Sequence, residues 1–572
     1  MTNTRTKQKE RTLYIILAAA LAARLLLALV TEGYTYDMSC FVAWGDKLAS
    51  EGPAAFYSAD YFADYPPGYI LVLGLVSLVR KALQLSYESR WTYFLLALIP
   101  AICDCAAVVL LDHISRRYMG QGRAQRCLVL FAAFCPLTLF DTGIWKQIDG
   151  AFALPLLLCF WLLEERRYLL AAVLYGVALA IKPQALLAGP VLAVCFLVAI
   201  ADAVRDGKSP LKSVGQIFGG AALALLPPLL AGLPFYGAKN LVPSLIDKYI
   251  TTASGYQYAT INAFNWFAAL GGNWQALDAC PVFDLSWKVL GIFNIAVITV
   301  LLVVLAVRFS PLLLAAFYTV GIFTFAHCMH ERYLVLGMLL VLLAAARWND
   351  IRLYGAGFGL SITGFLNLET VYTLVGSDDE WLSSDTSREF AMAVGFAETA
   401  VFVLLAFTAW AICRHGAISP LAKVETIEKD KTKTVQKKLE LCTLRIDPQP
   451  AWTAKEKKAL ATLTLIVAVV SFAYLGSMKA PQNPVDATDS TATIDFTPQQ
   501  DAVEIWVYPG ISTGGSLRIT DAAGNELYQK ELSYATPFCW TKTAITAPAG
   551  QTLTATIENA QMFELAPRDA TG

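Results

Sequence analysis

The chain has 572 residues, 56% of them apolar and 16% charged, with a formal net charge of -1. A soluble protein carries roughly 25% charged residues, so this composition excludes an ordinary soluble enzyme, and the near-neutral balance suggests no nucleic-acid partner. Twelve cysteines are present, but no CxxC occurs. Cys127, Cys135, Cys159 and Cys195 sit inside apolar runs, where a thiol behaves as a small apolar side chain, so structural zinc is not expected.

In chain order, a basic start (Arg5, Lys7, Lys9, Arg11) leads into an apolar run from Leu13 to Val30, read as a retained first helix rather than a cleaved signal. Hydropathy and the collection of Lys and Arg on one side predict spans near 12–30, 92–112, 127–143, 150–164, 168–182, 184–203, 216–234, 286–307, 310–327, 333–346, 353–375, 391–412 and 459–477. That makes about 13 crossings, with the N-terminus inside and the C-terminus outside. Residues 69–85 are apolar but contain Arg80-Lys81, and are read as re-entrant or interfacial. The segments 31–68, 235–284, 376–389 and 478–572 then lie outside the cell. In the first of them Phe41, Trp44 and Leu48 follow Asp37 at helical spacing, as in a short helix lying in the membrane interface.

Residues 414–458 are mixed-charge and polar, a cytoplasmic linker. After the helix at 459–477, residues 478–572 alternate in the strand pattern between Gly, Asn and Pro turns, which predicts an extracytoplasmic β-sandwich. The domain plan is therefore 1–413 as a transmembrane catalytic unit, 414–458, 459–477 and 478–572. The fold class is an all-α polytopic membrane protein with a C-terminal β-sandwich.

Polar side chains in or beside membrane helices are costly and need a reason. In this topology Asp37, Asp64-Tyr65, Trp145-Lys146-Gln147-Ile148-Asp149, Lys182-Pro183-Gln184, Asn262 with Asn265, and His330-Glu331-Arg332 converge on one face. Carboxylates, cations, a histidine, amides and aromatics suit a sugar carrying a phosphate. A phosphate leaves as a stable anion, so one carboxylate base suffices, with cations stabilising the leaving charge. Plainer roles stand beside these. Asp37 is placed to cap a helix, and Asp64 to fix a turn. Lys182 and Arg332 are placed to snorkel, and Trp145 belongs equally to an interfacial belt. Arg24 and Asp104, both mid-helix, are expected to pair. His327, His330 and Glu331 lack the HExxH spacing, so no metal is expected.

Taken in order, Asp37 with Phe41 and Trp44, Asp64-Tyr65-Pro66-Pro67, Trp145-x-Gln147-x-Asp149, Lys182-Pro183-Gln184, Asn262-Ala-Phe-Asn265 and Met329-His-Glu-Arg-Tyr333 resemble the GT-C superfamily of integral-membrane glycosyltransferases. The resemblance is nearest to bacterial relatives of the second GPI-anchor mannosyltransferase and spans roughly residues 12–412. It implies a polyprenyl-phosphate sugar donor, a glycan or glycolipid acceptor, membrane lipids around the chain and no metal cofactor. It implies Asp37 as the base, and Lys182, His330 and Arg332 at the donor phosphate. Asp64, Tyr65, Trp145, Gln147, Asp149, Gln184, Asn262, Asn265 and Glu331 would then contact substrate. That family reads Trp-Gly-Gln where this chain has Lys146, an extra cation beside the pocket. A transporter or flippase of lipid-linked sugars is the main competing class, although no half-to-half repeat is visible. A membrane-anchored binding protein is the third.

Overall fold

A computed structural model of the chain describes residues 2–57, 61–206, 209, 211–254, 256, 258–281, 285–306, 310–375, 385–419, 443–444, 485–486, 491–509, 516–531, 541–558 and 562–569. The apolar runs form helices α1 (Thr2–Val30), α2 (Thr35–Glu51), α3 (Pro67–Ala82), α4 (Arg90–Tyr118), α5 (Arg123–Ala133), α6 (Pro136–Leu139), α7 (Asp149–Glu164) and α8 (Tyr168–Ile181). They continue with α9 (Gly189–Arg205), α10 (Leu211–Ser254), α11 (Trp266–Ala269), α12 (Trp287–Leu305), α13 (Pro311–Phe325), α14 (Leu334–Trp348), α15 (Ile351–Val375) and α16 (Asp385–His415).

Among the described residues, seven helical segments are long and apolar enough to cross a membrane, against the thirteen expected. Part of the gap is burial. Helices α7, α13 and α14 have 16, 15 and 15 residues, and 15 helical residues reach only about 22 Å against a hydrocarbon core of about 30 Å. Their side chains are enclosed almost throughout, so they are inner helices walled off by their neighbours. The expected span 459–477 and most of the linker 414–458 lie outside the described residues.

Two local readings change. The sequence ends a span at 234 and opens a loop, but α10 runs on to Ser254 through a break at Gly237, where φ is 63°. Glycine alone adopts that left-handed conformation without a Cβ penalty. The part of α10 beyond the break clamps the 61–65 loop: Lys248 Nζ donates to the Ala63 carbonyl at 2.6 Å and Thr252 Oγ1 to that of Asp64 at 2.9 Å. Helix α2 forms as expected, but its apolar side, with Met38, Phe41, Trp44 and Leu48, is buried against protein. Helix α3 folds back along it, and Arg80 Nη2 meets Asp46 of α2 at 2.6 Å. The basic pair that made 69–85 ambiguous is thus held beside the segment that follows α1.

Charged loops gather at the end of the bundle away from that segment. Arg117 pairs with Glu165 at 2.9 Å and Arg347 with Glu164 at 2.8 Å, while Ser310 Oγ donates to Glu164 at 3.2 Å.

The C-terminal strands form two four-stranded sheets. One runs in the order Thr541–Thr546, Ala502–Pro509, Met562–Asp569, Val485–Asp486, and the other Thr491–Phe496, Leu553–Glu558, Ser516–Asp521, Glu526–Glu531. All these pairings are antiparallel. The alternate residues Val503, Ile505 and Ile545 of one sheet share a core with Leu517, Ile519, Leu553 and Ile557 of the other, which is a sandwich.

Candidate functional site

The site is built where helix ends meet. After α6 the chain runs from Phe140 to Trp145 in a wide π-type turn, and the end of helix α1 packs beside it. Lys146 then takes a left-handed φ of 68°. This reversal throws Trp145 and Gln147 toward the first turn of α2. There Trp145 Nε1 donates to Asp37 Oδ2 at 2.7 Å and Gln147 Nε2 to the same oxygen at 2.6 Å. Neither bond lands on Oδ1. Asp37 is the third residue of α2, and its carboxylate serves these two donors while the helix cap shows no side-chain bond. Trp145 is 1% exposed and stacks on Tyr34 at 4.4 Å, so it is a buried positioning group, not a belt residue. Gln147 Oε1 in turn accepts from Ile148 N at 3.2 Å and from the Tyr65 hydroxyl at 3.4 Å.

Two ion pairs flank this triad. Lys182 Nζ donates to Asp149 Oδ1 at 2.8 Å, both residues buried, and lies over the Tyr65 ring at 5.6 Å. Arg332 Nη1 donates to Glu331 Oε1 at 2.6 Å. Burial works against the Arg332 charge, but Asp37 and Glu331 more than offset it, and Tyr65 and Asp149 lie within the same electrostatic reach. Burial pushes the Asp64 carboxyl above its ordinary range, with Arg332 opposing and Asp37 adding to the rise. Asp37, Asp64, Asp149, Glu331, Tyr65, Lys182 and Arg332 therefore share one electrostatic neighbourhood. Burial, then Arg332 and Lys182, hold the His330 imidazole well below its usual range. Its ring lies against those of Tyr256 and Tyr333, at 4.9 and 5.2 Å.

Several polar atoms here are enclosed without a hydrogen-bond partner among the described residues: Asp64 Oδ1, Asp149 Oδ2, Gln184 Oε1 and Arg332 Nε. Leaving such atoms unpaired costs about 1–3 kcal/mol each, a cost expected where a ligand completes the set. Gln184 Nε2 is tied to the Tyr333 hydroxyl at 2.8 Å.

The two asparagines are occupied in building the walls. Asn265 caps α11, accepting from Phe267 N at 3.0 Å and Ala268 N at 3.3 Å while donating to the Phe323 carbonyl. Asn262, at φ 57°, accepts from Trp274 Nε1 at 2.7 Å and bridges to His330. It directly follows β1 (Thr260–Ile261), which pairs in parallel with β2 (Met329–His330) and so positions the residues before Arg332. Trp274 and Cys328 also hold left-handed backbones, at 59° and 60°. Strain of this kind, at non-glycine residues around one short pairing, is kept only where the surroundings fix it.

Lys146 does not enter the pocket. Its amine donates to the Thr31 carbonyl at 2.9 Å, Thr31 Oγ1 at 2.8 Å and the Ile144 carbonyl at 3.3 Å, closing the C-terminal end of α1. Its left-handed backbone is the conformation for which glycine is the default.

Sequence reasoning missed Tyr34, Trp274 and Asn367, whose side chains hold Trp145, Asn262 and Phe264. It also missed Asp141, fully buried with neither carboxylate oxygen partnered among the described residues. An acid inside an apolar run was a readable signal for Asp141. The others are aromatic or amide residues of ordinary appearance.

No family model matches the sequence, and no curated protein matches it. Among solved structures, the chain is similar to ArnT from Cupriavidus metallidurans, determined bound to undecaprenyl phosphate, with a TM-score of 0.41 and 15% identity over 70% of this chain and 75% of that one. A likeness at that level says nothing of what this chain binds.

Proposed function

We propose that the chain is a polyprenyl-phosphate-dependent glycosyltransferase of the GT-C kind. In this reading it moves a hexose such as mannose to a glycan or glycolipid acceptor at the outer face of the membrane. One observation carries the reading: a carboxylate with one oxygen fixed by two neutral donors stands in the field of a half-buried arginine. Trp145 and Gln147 orient Asp37 without neutralising it, and Oδ1 is left to take a proton. The acceptor hydroxyl gives that proton to Asp37 as its oxygen attacks the anomeric carbon. The bond from that carbon to the phosphate oxygen breaks, polyprenyl phosphate departs, and the configuration inverts. Arg332 meets the charge growing on the phosphate. Lys182, already paired with Asp149, contributes at longer range. The charged loops at the far end of the bundle support a cytoplasmic assignment for that end by the charge rule, and an outer-face assignment for the site.

The test is an assay of the purified protein in lipid with a panel of polyprenyl-phosphate sugars, following free polyprenyl phosphate. Asp37→Asn is expected to lower turnover by roughly 10²–10⁴-fold while donor binding persists. Wild-type turnover in that variant would remove Asp37 as the base. Movement of intact donor across the bilayer without cleavage would make the protein a transporter.

A further inference from the structure

Three of the unpartnered atoms, Asp149 Oδ2, Gln184 Oε1 and Arg332 Nε, belong to residues lining a single cavity of about 30 Å³. A single water needs roughly 10–15 Å³ on this measure, so the space suits a group of about two heavy atoms. The remaining wall is mostly apolar, with Phe152, Leu187, Ala188 and Phe323. Two of the three free atoms accept hydrogen bonds and one donates. A phosphate group, which brings only acceptors, would satisfy Arg332 and repel Asp149. An alcohol donates and accepts at once.

We propose that this cavity takes the exocyclic hydroxymethyl group of the transferred sugar, which makes the enzyme selective for hexoses over pentoses. The inference rests on the donor reading above. The methylene lies against Phe152, Leu187 and Phe323. The hydroxyl proton goes to Asp149 Oδ2, the charged and therefore stronger acceptor, and the hydroxyl oxygen accepts from Arg332 Nε. Gln184 Oε1 remains for a neighbouring ring hydroxyl, and its amide is steadied by Tyr333. The pair Lys182–Asp149 then has a purpose beyond charge balance: Lys182 holds one carboxylate oxygen so that the other faces the cavity. A sugar lacking the hydroxymethyl leaves these buried atoms unpaired, and sites built to bond a hydroxyl discriminate strongly against analogues without it.

The experiment gives the full-length protein in lipid matched polyprenyl-phosphate donors: mannose with lyxose, glucose with xylose, and mannose with its 6-deoxy form. The expected result is a kcat/KM for the accepted hexose on the order of 10²-fold or more above its pentose and 6-deoxy counterparts. Ala188→Val, which narrows the cavity without touching a polar group, is expected to lower hexose turnover more than pentose turnover, shrinking the preference, and an undiminished preference in the folded variant counts against the inference. Equal use of hexose and pentose, or a preference for the pentose, overturns the inference while the transferase reading stands. Consumption of no donor at all overturns the transferase reading instead. If the variant does not fold, the donor panel on the unaltered protein decides the question alone.

Discussion

Two of the polar clusters inside this apolar protein are built differently. In the membrane-spanning part Arg24 Nε pairs with Asp104 at 2.8 Å, Nη1 bonds the Ala133 and Ala20 carbonyls and Nη2 bonds Thr138, while Thr142 supplies Asp104. Every nitrogen of that guanidinium is used. Around Asp37 the opposite holds: Asp64, Asp149, Gln184 and Arg332 each keep an enclosed atom with no partner among the described residues. A completed network locks helices together, whereas an incomplete one stores a cost that a ligand relieves. In these two clusters completeness of hydrogen bonding differs, although both hold charges inside a membrane protein.

The largest expected effect breaks the completed cluster. Arg24→Met leaves Asp104 uncompensated, and stability should fall by about 3–5 kcal/mol, read as denaturation in detergent. Combining it with Asp104→Leu should recover most of that loss, and the surviving folded protein should keep its turnover per molecule. Failure of the double variant to recover would mean the pair does more than join α1 to α4. Next is Arg332→Ala in the open cluster, where the reverse pattern is expected. Transfer should drop roughly 10²–10³-fold, the size seen when a charge-stabilising donor is removed, with a smaller loss of stability than Arg24→Met. Arg332→Lys should recover only part, because an ammonium lacks the planar fork.

Trp145→Phe removes one of two bonds to Asp37 and keeps the stack on Tyr34. About tenfold in kcat, some 1.4 kcal/mol, is expected with little change in KM, and equal effects on both would argue for substrate contact instead. The smallest effect on transfer is at Lys146. Burial pushes its amine down to about 7, whereas an unfolded lysine titrates near about 10.4. Between those values the unfolded chain holds one more proton, so stability rises with pH through that window and is flat with respect to this group below it. Lys146→Gly should abolish that rise in a pH series of thermal denaturation and change transfer by no more than about twofold, since the amine bonds α1 and not the pocket.

Much of the site was legible because charge in an apolar chain is conspicuous. Asp37, Asp64, Asp149, Glu331 and Arg332 stand out from their surroundings, and the structure brings them together. Roles were harder to read than positions. Asn265 looked like a sugar ligand and is a helix cap, because an amide serves either purpose and only the neighbouring backbone decides. His330 looked like a phosphate contact from its place beside Glu331 and Arg332, but the lowering of its imidazole below the usual range also involves Lys182, nearly 150 residues away in the chain. Lys146 looked like an addition to the pocket and points at the end of α1, a direction set by one backbone dihedral.

From its own pattern the sequence settles that this is a helical membrane protein ending in a β-sandwich, because burial of long apolar runs and strict alternation are local properties. Which spans are inner and short, where α10 continues past Gly237, and which cations are already neutralised were decided by tertiary packing. Those outcomes depend on contacts between segments more than a hundred residues apart, as Asp37 is from Trp145, and no local pattern encodes them.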